Sequence, residues 1–428
     1  MGDFNVSEAE VLMLEIVDKD IGKVFEESAI FYNLIGEGEA KFTNSRGVRL
    51  VTHVQPNPGM GWYSEGGILP IGNTSRKVDM RVFFTRFAIA GTLTGDAIDT
   101  TSRESLLEGL SSRLQEDTTT GIKEFNQQAY QNGNAAKAVV DISTAQVTNG
   151  DGTITTTFLV PYGPRQLLER GLYQVFRPST GAQVGSGSHV LNSVSNSART
   201  ATFDSTFPTS CATNDVIVTS GSYLKGIHGL PYHTNNDTGL YQGQSRATYN
   251  KLQAPVIDAS GAALTVSLLS KMEFQTLYRT GADKDTSDFT ILSSPTQAHA
   301  YQLMGYTLKR FTGGDTKFDG GFRTIEHNGH PWVIDTDCAD NDLYMLRRKV
   351  WGKYQVRPFG VLKQNGQVLN MLPAITTSGS LTGPIAAGSF AEKYVFFLGG
   401  KFDFGCKLPH MNARLKNLDR SNLATGLF

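Results

Sequence analysis

The feature that most constrains this chain is a pair of alternating segments within residues 46–95, joined by a connection of about 20 residues. In residues 48–54 and again in 78–84, every second side chain is apolar or small, which is typical of strands. The connection is rich in glycine and proline, and loops of that length are usually functional or disordered. A two-stranded hairpin is marginal in water and its free edges favour pairing. We therefore predict an extended hairpin that another chain covers, with a β-meander inside one large sheet as the alternative.

The same hairpin carries the residues that we expect at contacts between chains. Its basic side chains are opposed by Glu65 and Asp79, which makes them candidates for charge pairs between subunits. Such pairs contribute less than about 1 kcal/mol on a solvated strand, and between subunits they mainly set the register. The predicted interface residues are Trp62, Tyr63, Glu65, Arg76, Lys77, Arg81 and Arg86.

Capping boxes predict two long helices. Ser7 and Glu10 are spaced as a capping box and begin an amphipathic pattern over about residues 8–32. We interpret that segment as an arm that packs on something else, with an ordinary surface helix as the alternative. Thr101 and Glu104 begin a second helix of about 30 residues, or ~45 Å. A bend is expected at 118–121, where three threonines precede a glycine.

The rest of the chain predicts a mixed α+β protein. Short segments with strand patterns, separated by Gly, Ser, Asn and Pro, make residues 165–224 a small β-sandwich or barrel inserted into its host domain. Residues 255–345 alternate helix and strand patterns, and Ser294 with Pro295 begins one of the helices. A final strand pair lies near the C-terminal end.

Composition excludes several classes of protein. At 428 residues the chain is long enough for two or three domains. A net charge of −1 is not that of a strongly basic nucleic-acid binder. Cys211, Cys338 and Cys406 are too few and too dispersed for a disulfide scaffold, which favours a reducing compartment. We expect a soluble protein made in the cytosol, without a secretory signal or membrane span.

The chain offers only weak signals of catalysis. His327 and His330 flank a turn and precede Asp335, so a metal-dependent enzyme that uses these three residues is one hypothesis. A hairpin turn with solvated aspartates is the simpler interpretation, since short motifs match freely. The sequence contains no nucleophile elbow, phosphate-binding loop or zinc-binding H-E-x-x-H. We predict no catalytic residues, no cofactor and no metal.

The order of parts resembles the major capsid protein of tailed double-stranded DNA bacteriophages, which has the Hong Kong 97-type fold shared by encapsulin shells. Local stretches that carry the likeness are 226–230 (GIHGL), 291–295 (ILSSP), 329–333 (GHPWV) and 406–409 (CKLP). The resemblance implies this division of the chain: N-terminal arm and helix, 1–40; extended hairpin (E-loop), 41–98; peripheral domain with its spine helix, 99–164; β-rich insertion domain, 165–224; second peripheral portion, 225–255; axial domain, 256–345; return to the peripheral domain, 346–428.

By the same resemblance, the chain is a structural protein and not an enzyme. It is expected to self-assemble into pentamers and hexamers of an icosahedral head that encloses double-stranded DNA. The implied partners are copies of itself, scaffolding and portal proteins, a decoration protein, and packaged DNA held weakly and without sequence preference; no membrane is involved. The implied location is the virion, assembled in the host cytoplasm. An encapsulin-type cargo shell, the metal-dependent enzyme and a β-rich tail or adhesin protein remain the alternatives.

Overall fold

The computed structural model describes residues 30–38, 42–44, 46–65, 67–69, 72, 74–94, 103–142, 145–158, 167–196, 198–280, 289–308, 325–362, 370–373 and 390–419. The predicted N-terminal helix therefore lies outside the described residues except for its last part.

Helices account for a minor part of the described chain. The long helix α2 runs through the threonine-rich segment where a bend was expected, and it remains one element. Gly121 lies beneath the side chain of Ile89, so a glycine here lets strand and helix approach closely. The helices are α1 (Ile30–Leu34), α2 (Arg103–Ala129), α3 (Leu230–His233), α4 (Val266–Thr280) and α5 (Pro295–Leu308), with 3-10 turns at Asn250–Leu252, Arg348–Val350 and Pro409–Met411.

Strands form most of the architecture. They are β1 (Phe42–Asn44), β2 (Gly47–Gln55), β3 (Arg76–Phe83), β4 (Thr85–Thr94), β5 (Ala136–Asp141), β6 (Val147–Thr148), β7 (Ile154–Phe158), β8 (Leu172–Arg177), β9 (Ala182–Ser195), β10 (Thr200–Phe203), β11 (Val216–Thr219), β12 (Leu240–Tyr241), β13 (Gln244–Ser245), β14 (Val256–Asp258), β15 (Phe289–Ser293), β16 (Ile325–His327), β17 (His330–Ile334), β18 (Leu343–Arg347), β19 (Trp351–Leu362), β20 (Asn370–Pro373), β21 (Phe390–Cys406) and β22 (Ala413–Lys416).

The chain divides into two compact units, the first made of residues 1–33, 84–126 and 355–403. Its described core is aromatic: the rings of Tyr32, Phe125 and Phe402 contact one another edge to face at centroid distances of 5.1–6.1 Å. The Tyr32 hydroxyl also donates to Gln355 Oε1 at 2.7 Å. The described end of the N-terminal segment is therefore packed within its own subunit.

Strand β4 departs from the predicted hairpin. It pairs antiparallel with β21, with Phe396 opposite Gly91, and not with a strand of the hairpin. A Cβ at Gly91 would overlap the Phe396 ring, so this glycine makes room for the aromatic side chain across the strand pair. The hairpin predicted over residues 41–98 therefore ends at β3, because β21 offers β4 a ten-residue run of backbone partners.

The second unit, residues 34–83, 127–354 and 404–428, contains a six-stranded mixed sheet in the order β14-β22-β18-β15-β17-β16. Leu269 and Met272 of α4 pack on this sheet together with Phe289 and Trp332. The predicted start of α5 is confirmed, since the helix begins at Pro295.

The same unit contains a closed β-barrel. Strands run in the order β10-β9-β8-β11-β5-β7, and β7 also pairs with β10, so no edge is left open in this ring. Its core includes Phe158, Tyr173 and Phe203. The prediction of a β-rich unit over 165–224 left out β5 and β7, because residues 134–163 as a whole are polar and rich in turn-forming residues. Closure of the ring requires both strands, so the barrel begins near residue 136.

The three cysteines are buried and free, as expected of a chain without a disulfide scaffold. No helix in the described ranges is long and apolar enough to cross a bilayer.

Candidate assembly surfaces

The base of the hairpin has one buried and one exposed face. Strands β2 and β3 pair antiparallel, with Val48 opposite Val82 and Leu50 opposite Met80. These four side chains are at most 2% exposed. Apolar and polar side chains alternate along these strands because one face of the strand pair is buried in a core and the other is exposed.

The chain's own second unit covers that face and one edge. Thr52 Oγ1 donates to the carbonyl of Lys407 at 2.9 Å, and the Arg81 amide donates to the Gln242 carbonyl at 3.0 Å. Gln244 Nε2 donates to the Asp79 carbonyl at 2.6 Å. The prediction that another chain covers the whole hairpin is therefore wrong for its base. The residues that cover it lie more than 150 positions away in the sequence, where local patterns give no signal.

The other face of the base is exposed and mainly basic. Asp79 forms an ion pair with Arg49, on the neighbouring strand, and the sequence analysis did not include Arg49 as a candidate. Lys77 and Arg81 are exposed on the same face. Both partners of the ion pair are about half exposed, so it contributes less than about 1 kcal/mol.

Of the other predicted charge-pair residues, Arg76 is used within its own subunit. Its guanidinium lies over the ring of Tyr249 at 5.1 Å from the centroid and donates to the Tyr249 hydroxyl at 3.1 Å. Arg86 lies on β4, in the first unit and outside the hairpin, and Glu65 is exposed near the tip. Within the second unit, the predicted interface residues therefore divide between the tip, the exposed face of the base and the Tyr249 contact.

The tip of the hairpin, residues 56–75, is the most exposed apolar segment that the structure describes. Trp62 is completely exposed, and Met60 and Ile68 are 79% and 92% exposed. Tyr63 and Leu69 are more than 60% exposed as well. Each such side chain forgoes roughly 1.5–3 kcal/mol of burial, and a contiguous exposed apolar patch usually marks an interaction site.

Two short-range hydrogen bonds, of the kind found in turns, fix the local backbone conformation of the tip. The Gly59 amide donates to Asn57 Oδ1 at 2.9 Å, and the Gly67 amide donates to the Ser64 carbonyl at 2.8 Å. The apolar side chains of the tip are therefore held by short loops and remain accessible to a partner.

The residues of the metal-site hypothesis do not form a metal-binding group. His327 and His330 approach the carboxylate of Glu273, with His330 Nε2 at 3.4 Å from Oε1 and His327 Nε2 at 3.9 Å from Oε2. Asp335 instead accepts a hydrogen bond from the Tyr130 hydroxyl at 2.6 Å. Within the described ranges, no group of three or more His, Cys, Asp or Glu is placed to hold a metal ion. The histidines have a structural role beneath α4.

A second exposed surface lies on α4, and the sequence analysis missed it. We define the α4 face by Lys271, Phe274, Gln275, Tyr278 and Arg279, which line an open cavity of about 520 Å³. Phe274 is 66% and Tyr278 89% exposed, although they alternate with the buried Leu269, Met272 and Thr276 at helical spacing. The two aromatic residues of this helix, Phe274 and Tyr278, are four positions apart and therefore share one face.

Basic residues continue from the α4 face onto the neighbouring 3-10 turns. Arg279 donates to the carbonyl of Gln253 at 3.3 Å, and an adjoining cavity of about 390 Å³ is lined by Lys251, Arg279 and His410, among others. His410 Nδ1 donates to the Lys251 carbonyl at 2.9 Å. We include Lys251 in the α4 face from here on.

The buried His410 makes stability depend on pH. Burial lowers the pKa of His410 to about 4, and the charges of Lys251 and Arg279 add to this effect. The unfolded chain protonates this histidine near pH 6.5, so its contribution to stability is present above pH 6.5 and is lost as the pH falls towards 4. The His410→Gln variant keeps a donor and does not titrate. We expect the free energy of unfolding of the wild type to fall by about 3 kcal/mol more than that of this variant between pH 7 and pH 4.

Urea denaturation at several pH values measures this difference. The exposed His299→Gln change is the matched control, because it removes an imidazole that is exposed on α5. Equal pH profiles for the wild type and His410→Gln would contradict the assignment.

Comparisons with known proteins relate the fold to solved structures. No protein-family model and no curated protein matches this chain. A chain of the capsid asymmetric unit of cyanophage A-1(L) is similar over 98% of this chain and 96% of that chain, with a TM-score of 0.51 and 12% identity. A capsid chain of the native GTA particle covers 91% of this chain and 90% of its own length, with a TM-score of 0.45 and 10% identity.

The holo-SrpI encapsulin of Synechococcus elongatus PCC 7942 is similar over 92% of this chain and 88% of its own length, with a TM-score of 0.39 and 8% identity. The cyanophage match spans nearly the whole of both chains. The chain therefore has the fold of a phage capsid subunit.

Proposed function

We propose that this chain is a structural subunit that self-assembles into the pentamers and hexamers of an icosahedral phage head enclosing double-stranded DNA. The observation that carries the proposal is the exposed apolar tip of the hairpin, where Met60, Trp62, Tyr63, Ile68 and Leu69 are each more than 60% exposed. The capsid fold supports it, because a shell supplies each subunit with neighbours that can cover such a tip. In this proposal the chain acts by burying the tip of its hairpin against neighbouring subunits, and not by catalysing a reaction.

In this proposal the elements take the roles that the family resemblance implies. The hairpin of β2 and β3 is the E-loop, and α2 is the spine helix of the peripheral domain. The mixed sheet with α4 and α5 is the axial domain, and the closed barrel is the insertion domain. The barrel's closure supports its role as an insertion, because it has a core of its own.

Partners other than copies of the chain follow from the same proposal. A scaffolding protein and a portal protein take part in assembly, a decoration protein binds the outside, and the virion is the final location. DNA contact is weak and without sequence preference. Two cations near the C-terminal end support the weak DNA contact, because each forms an ion pair within the fold: Arg414 contacts Asp342 at 2.6 Å, and Lys416 contacts Asp258 at 3.4 Å.

Microscopy of the purified protein tests the proposal. The protein is produced with and without a co-expressed scaffolding protein and is examined by negative-stain electron microscopy and sedimentation velocity. Closed shells with five- and six-fold vertices are the expected result. A protein that stays monomeric at high concentration under both conditions would overturn the proposal. Shells that hold a protein cargo and exclude DNA would favour the encapsulin-type alternative.

A further inference from the structure

A row of basic side chains crosses the second unit, and it begins on the exposed face of the hairpin base. There Arg49 lies directly opposite Arg81 in the strand pair, and Lys77 is exposed on the same face. The carboxylate of this face, Asp79, is already paired with Arg49. Like charges directly opposite each other destabilise a sheet, so an anionic partner would relieve a repulsion between the two arginines.

Lys251 continues the row from the hairpin base to α4. Its Nζ donates to the carbonyl of His53 at 3.5 Å, and His53 is opposite Lys77 in the strand pair. Lys251 also lines the same cavity as Arg279, and these residues all belong to the second compact unit. We define the cationic strip by Arg49, Lys77, Arg81, Lys251, Lys271 and Arg279.

The strip is poor in carboxylates. Within the described ranges, Arg49 is the one member that forms an ion pair. Glu273, the acidic residue of α4, is turned inward, where Asn328 Nδ2 donates to its carboxylate at 2.7 Å. The partner that fits such a surface is an extended anion, with charges spaced along its length.

Two aromatic side chains lie at the α4 end of the strip and narrow the choice of anion. Phe274 is 66% and Tyr278 89% exposed, and both line an open cavity of about 520 Å³ together with Lys271 and Arg279. Duplex DNA presents mainly phosphate and sugar on its outside, so it would leave both rings in water. A single strand offers phosphates to the cations and base faces to the rings, the combination by which sequence-independent single-strand binding works.

We propose that the cationic strip and the two rings of the α4 face bind single-stranded nucleic acid without sequence preference. The phosphates lie against the strip, and bases stack on Phe274 and Tyr278. Sequence has little influence, because every base has a π face and the cations contact only the backbone. This binding is an activity of the single chain and does not depend on the proposed shell.

Fluorescence anisotropy with the full-length protein and a labelled oligothymidylate of about 20 nucleotides tests the electrostatic part. With about five phosphate contacts, the slope of log K against log salt concentration should be about −3.5. Lys271→Glu with Arg279→Glu should weaken binding at least tenfold and make the slope shallower by about 1.4. The matched control is Arg199→Glu with Lys225→Glu, which reverses two exposed cations of the barrel and should change the affinity less than about threefold.

The aromatic part has its own test. Phe274→Ala with Tyr278→Ala should weaken binding of the oligothymidylate about tenfold or more, because stacking on two rings is lost, and should leave the salt slope unchanged. Binding of a DNA duplex of the same length should not respond to this change. Circular dichroism checks that each variant is folded.

Four results would overturn the proposal. They are no saturable binding of the oligothymidylate by the wild type, an equal loss of affinity in the barrel control, and duplex binding at least as tight as single-strand binding. The fourth is a charge-reversed strip that blocks shell formation and leaves oligonucleotide affinity unchanged, which would identify an acidic surface of another subunit as the partner. Sedimentation velocity on the same variants reads assembly separately, so a failure to form shells is distinct from a failure to bind.

Discussion

Shell formation is lost when Met60, Trp62 and Ile68 are replaced together by serine, while the free energy of unfolding changes by less than about 0.5 kcal/mol. All three side chains are nearly or fully exposed in the single chain, so the folded subunit gains nothing from them. Between subunits each contributes roughly 1.5–3 kcal/mol when buried. Loss of about 5 kcal/mol per contact lowers the association constant more than a thousandfold.

Sedimentation velocity across a concentration series measures this effect as the concentration at which shells appear. Leu172→Ser with Leu224→Ser is the matched control, because both leucines are also more than half exposed but lie outside the hairpin. If the control prevents assembly as strongly as the triple change does, the tip has no special role. Shells that form normally from the triple variant would remove the main support for the proposed function.

The second large effect concerns Asn412, a fully buried amide that joins three segments of the second unit. Its Oδ1 accepts from the Arg347 amide at 2.9 Å and from Trp351 Nε1 at 2.8 Å, while its Nδ2 donates to the Leu408 carbonyl at 3.4 Å. Asn412→Leu keeps the approximate volume and removes all of these bonds. We expect a loss of about 3–5 kcal/mol in the free energy of unfolding, because buried polar groups are left without their partner.

Guanidinium denaturation followed by tryptophan fluorescence checks this value. Asn192→Leu, on the exposed side of β9, makes the same chemical change at the surface and should cost less than about 0.5 kcal/mol. A cost below about 1 kcal/mol for Asn412→Leu would show that water or a rearranged backbone replaces the amide.

Local elements were predictable because their signals lie within a few residues. Pro295 at a helix start follows from the backbone chemistry of that turn, and α5 begins there. The long helix from Arg103 to Ala129 also follows from the helical spacing of its apolar residues. The helix continues through residues 118–121, the weakly helix-forming segment, where Gly121 leaves room for the side chain of Ile89.

Which strand pairs with which was less predictable than where the strands lie in the sequence. The sequence indicates that β4 is a strand, but its partner β21 lies about 300 residues later. The barrel likewise includes β5 and β7, which lie in a polar stretch of the sequence and find their partners β11 and β10 about 45 to 80 residues later. The sequence did not indicate that the aromatic residues of the α4 face would be exposed, because the position of the sheet decides which face of the helix is buried.

By itself, the sequence determined that two alternating strands carry a long, apolar, glycine-rich tip and that capped helices accompany a β-rich chain. Only the tertiary structure decided which surfaces the chain covers with its own residues: the base of the hairpin is covered, whereas the tip and the α4 face are exposed. The reason is physical. Propensities, caps and alternation act between residues that are near in sequence, whereas the burial of a face depends on contacts between residues hundreds of positions apart.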